Sequence, residues 1–208
     1  MYRALLLLMT LVQVASCQTM HEREKVILDY SRQAGAGRSA YEQYLVQEDQ
    51  YTTNGVVYHR KYRTYLLGIA RYMIEEKKYA VLKNCIGFYF DKRENIKSRL
   101  YLGLDVELPV DASLASSSGR GIALSFFNKH LSEVLYVLFS CKTIFAEAEV
   151  VGAVVGFQWR AAGSQEIYNI WIDKKDVIKF ENGSLTLREI VERNIITDTR
   201  GKVVKLSQ

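Results

Sequence analysis

The sequence predicts an α+β fold: a mixed or mainly antiparallel sheet with two longer helices and short C-terminal helices. Three observations predict it. Apolar residues recur at helical spacing from about Val57 to Val81 and again from Ile122 to Cys141. Four short runs, "CIGFYF", "SRLYLGLDVEL", "AEVVGAVVGFQWR" and "EIYNIWID", read as strands bounded by polar or glycine-rich turns. The C-terminal third carries helix caps in close succession. At 208 residues, 49% apolar and 12% aromatic, the chain can bury a core without disulfide or metal staples.

The first long helix sits inside a tyrosine series. Tyr44, Tyr51, Tyr58, Tyr65, Tyr72 and Tyr79 stand seven residues apart, as in a coiled coil. The companion seam four residues on is Glu48, Gly55, Tyr62, Ile69 and Glu76, which is too polar to pair. "TTNG" (Thr52 to Gly55) also breaks a continuous helix. A single helix over about 57–81 fits better. Its buried stripe would hold Tyr58, Tyr62, Tyr65, Leu66, Ile69, Tyr72, Met73 and Ala80, with the tyrosine hydroxyls left at the rim.

"CIGFYF" and "SRLYLGLDVEL" then flank the polar "DKRENIK" and read as a hairpin. Leu100, Leu102, Leu104 and Val106 share one face, which leaves Asp105 and Glu107 on the solvated side. Residues 109–121, "PVDASLASSSGRG", form a loop before the next helix, whose N-terminus is a place where an anion could bind. The loop lacks the spacing of a phosphate-cradling motif. The helix from Ile122 to Cys141 carries Asn128, Lys129, His130 and Glu133, which mark it as a core helix and not a membrane span.

The run at Val150 to Phe157 reads as a central strand covered on both faces, with Gly152 and Gly156 marking a bulge or a close backbone approach. It pairs with "EIYNIWID" across "AAGSQ". Asp173 caps a short helix closed by Asn182-Gly183. Thr186 and Glu189 form a capping box, with Leu185 and Ile190 as its hydrophobic staple. "GKVVKL" adds an edge strand near the end.

Charge and motif content exclude more than they assign. A net charge of +5 without long basic runs is compatible with an anionic lipid surface and too weak by itself to argue nucleic-acid binding. Arg60, Lys61 and Arg63, interleaved with tyrosines, are the candidate contact with headgroups or a partner. There is no Cys-x-x-Cys, His-Glu-x-x-His, acidic calcium loop or Gly-x-Ser-x-Gly elbow, so no metal and no cofactor is expected. Of the three histidines, His21, His59 and His130, none lies near a nucleophile in a recognisable pattern. No catalytic residue is assigned.

The N-terminus is the most specific signal. Arg3 precedes an apolar run, Ala4 to Val12, too short to cross a bilayer and followed by Val14-Ala15-Ser16-Cys17. This ending resembles the lipobox of bacterial lipoproteins, a resemblance confined to residues 3–17. It implies a signal peptide over 1–16, cleavage before Cys17 and diacylglyceryl and acyl attachment (palmitate) there. Residues 17–40 would then be a lipidated tether and 41–208 a single α+β domain. Gln18 resembles the residue found after the cysteine in lipoproteins sent to the outer membrane. With Cys17 acylated, Cys85 and Cys141 remain as an even pair: either a disulfide or two buried free thiols.

The expectation is therefore a non-catalytic cell-envelope lipoprotein, held at a bacterial membrane in the periplasm or at the surface, that binds a protein or envelope component. Two alternatives stay open. One is a soluble periplasmic or secreted hydrolase using the 109–121 loop. The other is a cytosolic nucleic-acid-binding protein.

Overall fold

A computed structural model describes residues 22–32, 38–93, 96–161 and 164–206. The signal segment and Cys17 lie outside the described residues. In chain order come helices α1 (22–32), α2 (Arg38–Glu42) and α3 (Thr53–Glu75), then strands β1 (Ala80–Val81), β2 (Gly87–Tyr89) and β3 (Leu100–Glu107). Helices α4 (Gly119–Ser140) and α5 (Lys142–Phe145) lead to β4 (Val150–Ala161) and β5 (Ser164–Asp173). The chain ends through α6 (Lys174–Glu181), α7 (Leu187–Arg193), β6 (Ile195–Thr197) and β7 (Val203–Val204).

The strands form one mixed, mostly antiparallel sheet in the order β1-β3-β4-β5-β6-β7, with β2 also paired to β3. The fold is α+β, as the sequence predicts. The hairpin expected from "CIGFYF" and "SRLYLGLDVEL" is present, with Phe88 opposite Leu102. β3 and β4 run parallel, and α4 with α5 makes the crossover that this pairing requires. One residue is skipped between the pairs Leu100–Val150 and Tyr101–Gly152, which is the irregularity that Gly152 signalled.

Strand parity separates the two faces. Leu100, Leu102, Leu104 and Val106 of β3 align with Val150, Ala153, Val155 and Phe157 of β4, with Trp159 next in phase, all fully buried. α4 packs on this side, placing Phe126 against Phe157 and Trp159 and Phe127 against Phe157. α3 joins it, with Tyr58 and Tyr62 against Phe88. α6 and α7 pack beside α4 on the same side. The helices thus gather on one face of the sheet.

Helix boundaries differ from the sequence reading for local reasons. Thr52 accepts the Gly55 N–H at 3.2 Å, so "TTNG" starts α3 where a break was expected. α3 stops at Glu75, and Lys78 turns the chain with φ 59°. Ala80, expected in the helical stripe, instead pairs with Glu107 in β1 and is exposed. Of the tyrosine series, Tyr44 and Tyr51 precede α3 and Tyr79 follows it. Residues 22–32, within the expected tether, form a helix packed on α3: Ile27 is buried and its carbonyl oxygen lies where a Cβ of residue 68 would be.

Candidate functional site

The helix-free face of the sheet gathers the most chemistry. Parity puts Tyr101, Gly103, Asp105 and Glu107 of β3 there, beside Gly152, Val154, Gly156 and Gln158 of β4. Ile167, Asn169 and Trp171 of β5 continue the rows, then Thr197 and Ile195 of β6. Three glycines form its floor, and each is covered by a neighbour. The Tyr89 ring lies over Gly103, the Tyr101 ring over Gly152, and Asp105 Oδ1 with Asn169 Oδ1 over Gly156. A Cβ at any of the three would overlap those atoms. Side chains lying flat over glycine bury Tyr101 and Val154 without a covering helix. At the far rim the Arg93 guanidinium stacks on Trp171 at 5.4 Å, and Trp171 packs edge-on to Tyr101 at 5.2 Å.

Asp105 is the electrostatic centre of this face. Its side chain is half-buried, and burial pushes its carboxyl up to about 7, only partly opposed by the Gly156 N–H. This corrects the expectation that Asp105 sits on a plainly solvated strand face. Glu107, one row on, does stay at the rim and pairs with Arg160 at 3.4 Å. The surface is polar–aromatic. The residues that make it, Tyr89, Asn169 and Trp171, were not singled out from the sequence. The available signal was parity, since Gly103, Gly152 and Gly156 all fall on the Asp105 side.

The sequence candidates land elsewhere. Arg60 pairs with Glu48 at 2.6 Å, Lys61 with Glu147 at 2.7 Å and Arg63 with Glu42 at 2.5 Å. The basic turn of α3 is therefore matched by carboxylates from three other segments and is not an unopposed cationic patch. Cys85 and Cys141 are unbridged and separately buried, so the disulfide option is not realised here. Cys85 Sγ donates to the carbonyls of Leu82 (2.9 Å) and Asp105 (3.3 Å), and burial pushes both thiols up.

The carboxylate of Glu166 lies close beside the α4 N-terminus. Glu166 Oε2 lies where a Cβ of Gly119 would be, beside the Ser118 cap. His59 and His130 each share a hydrogen bond with a tyrosine, Tyr51 at 3.1 Å and Tyr79 at 3.0 Å, and burial lowers both imidazoles. Among the described residues, no group of three or more His, Cys, Asp or Glu side chains could hold a metal ion. No helix among them is long and apolar enough to cross a membrane.

Comparison with known proteins gave no match to any family model, curated protein or solved structure.

Proposed function

We propose that this chain is a non-catalytic lipoprotein of a bacterial cell envelope, anchored through acyl chains on Cys17 and presenting its α+β domain to a protein partner. The helix-free face of the sheet is the recognition surface. One observation carries the binding half of this reading: on that face the Tyr89 and Tyr101 rings and the Asp105 and Asn169 oxygens lie directly over Gly103, Gly152 and Gly156, so the chain's own polar and aromatic atoms fill the floor. A sheet face that presents partly exposed Tyr89, Asn169 and Trp171 suits macromolecular contact. Asp105 and Asn169, with their oxygens converging over Gly156, suit a partner that offers a lysine, arginine or amide donor. The anchoring half rests on residues 3–17 of the sequence.

The hydrolase alternative finds less support. The Glu166 carboxylate lies beside the α4 N-terminus, where it opposes an incoming anion, and the histidines of α3 and α4 are tied to tyrosines.

Two linked measurements test the proposal. Palmitate labelling in a bacterium should mark the wild type and vanish in Cys17→Ser. A photo-crosslinker at Asn169 should then yield an adduct that Trp171→Ala removes and that a crosslinker at Lys129 does not form. Absence of label on the wild type rejects the anchor. Adducts that are indifferent to Trp171→Ala reject the surface.

A further inference from the structure

If Cys17 is the anchor, the way α1 is seated sets how the domain meets the membrane. A free coil across residues 17–40 would leave the domain some 25 Å away and able to turn, by the ~5–6 Å × √n rule. The described part of that stretch is not free. Glu24 Oε1 accepts the Thr143 N–H at 2.9 Å, Tyr30 donates to Glu76 at 2.9 Å, and Arg71 donates to the Tyr30 carbonyl at 3.1 Å. Only residues 18–21 separate Cys17 from residue 22. At roughly 3.3–3.6 Å per residue, residue 22 cannot lie more than about 18 Å from an acylated Cys17.

The surface held at that distance has the composition of a membrane contact. Arg23 stacks on Tyr136 at 5.4 Å, and Tyr136 packs on Phe180 at 5.7 Å, which joins the start of α1 to α4 and α6. At this junction Val26 and Tyr136 are exposed apolar side chains, at 40% and 39%, and on the outer side of α6, turned away from Phe180, Ile178 is exposed at 49%. Arg23 lies over Tyr136, Lys25 and Lys179 adjoin Val26 and Ile178 in sequence, and none of the three has a carboxylate within 4 Å among the described residues, while Glu133 of the same pocket is paired with Lys77. Apolar and tyrosine side chains beside unopposed cations fit the boundary between acyl chains and anionic headgroups.

We propose that this α1–α4–α6 face, centred on Arg23, Tyr136 and Ile178, lies against the anionic phospholipid surface. The proposal rests on the Cys17 anchor of the preceding section. α1 meets α3 (Ile27 at Gly68, Tyr30 at Tyr72), α4 (Arg23 at Tyr136) and α5 (Glu24 at Thr143), the helices that cover one face of the sheet, so the helix-free face is turned the other way. Docking by α1 therefore directs the recognition surface away from the bilayer.

The test uses the full acylated chain in vesicles of phosphatidylethanolamine and phosphatidylglycerol. A fluorophore is placed at Ile178→Cys or at Arg120→Cys, the latter 16 helical residues, about 24 Å, along α4 from Tyr136. The native thiols Cys85 and Cys141 are buried and stay unlabelled. A headgroup-level nitroxide lipid should quench the probe at 178 several-fold more than the probe at 120. The combined change Arg23→Glu, Lys25→Glu and Lys179→Glu should erase the difference while palmitate labelling persists. Equal quenching at the two positions in the palmitate-labelled protein overturns the orientation alone. Loss of the label itself overturns the anchor and this inference with it.

Discussion

Asp105 shows how far a residue can depart from what its neighbours in sequence imply. Alternation with Leu104 and Val106 puts it outside the helix-covered core, where a carboxylate is ordinarily hydrated. Gly156 across the strand pair and the Tyr89 ring over Gly103 withdraw it from water instead, and burial raises it to about 7. The folded-state value then lies above the unfolded value of about 3.9. Between those values the native state binds the extra proton, so this contribution to stability is present below about pH 4 and lost as pH rises through about 7. Asp105→Asn removes the titration. The stability difference between variant and wild type in urea should change in the variant's favour across that window. Parallel pH profiles would show that Asp105 is solvated after all. The tyrosines make the complementary case. Tyr30, Tyr41, Tyr58, Tyr62 and Tyr79 each pack a ring and donate a hydroxyl to a glutamate. The bond itself raises Tyr30 and Tyr41 most, and burial raises Tyr58, Tyr62 and Tyr79 most. The tyrosines lower Glu75 and Glu149, while Lys77 and Lys61 lead in lowering Glu133 and Glu147. The sequence showed rings on one stripe with hydroxyls at a rim. Which acids they meet depends on segments up to 91 residues away.

At the scale of elements, signals that act within one turn were legible and signals that need a partner were not. The Thr186–Glu189 capping box forms as its spacing predicts, and Gly183 closes α6 with φ 73°. The docking of α1 was not legible, because nothing local says that Gly68 in the middle of α3 is a seat for another helix. Gly68→Ala separates the two effects. Alanine would strengthen α3 alone by about 1 kcal/mol, but its Cβ would meet the Ile27 carbonyl oxygen. Amide exchange should therefore accelerate over residues 22–32, with α4 and β4 unaffected. A variant that is simply more stable, with α1 still protected, would show that the close contact is not held in solution.

At the scale of the whole molecule, the two thiols report how the sheet and the helices are stacked. Cys85 enters β2 at the sheet, whereas Cys141 ends α4, and each is enclosed by different neighbours. In the folded protein with Cys17 acylated or replaced, neither should react with a water-soluble disulfide reagent, and both should react on unfolding without reductant. A reactive thiol in the native state would mean a looser core. Silence after unfolding would mean a bridge.

By itself the sequence determined the fold class, the two long helices, the four longer strand segments, the Thr186–Glu189 cap and the placement of leucines on one side of β3, whereas Asp173 heads α6 without a side-chain cap bond. These follow from periodicity and from hydrogen bonds closed within a few residues. Only the tertiary structure decided which glycines are covered by which rings, which carboxylates answer Arg60, Lys61 and Arg63, and that α1 is seated on α3. Those outcomes depend on contacts between residues tens of positions apart, where pairing and burial are set by the stacking of whole elements and leave no trace in local pattern.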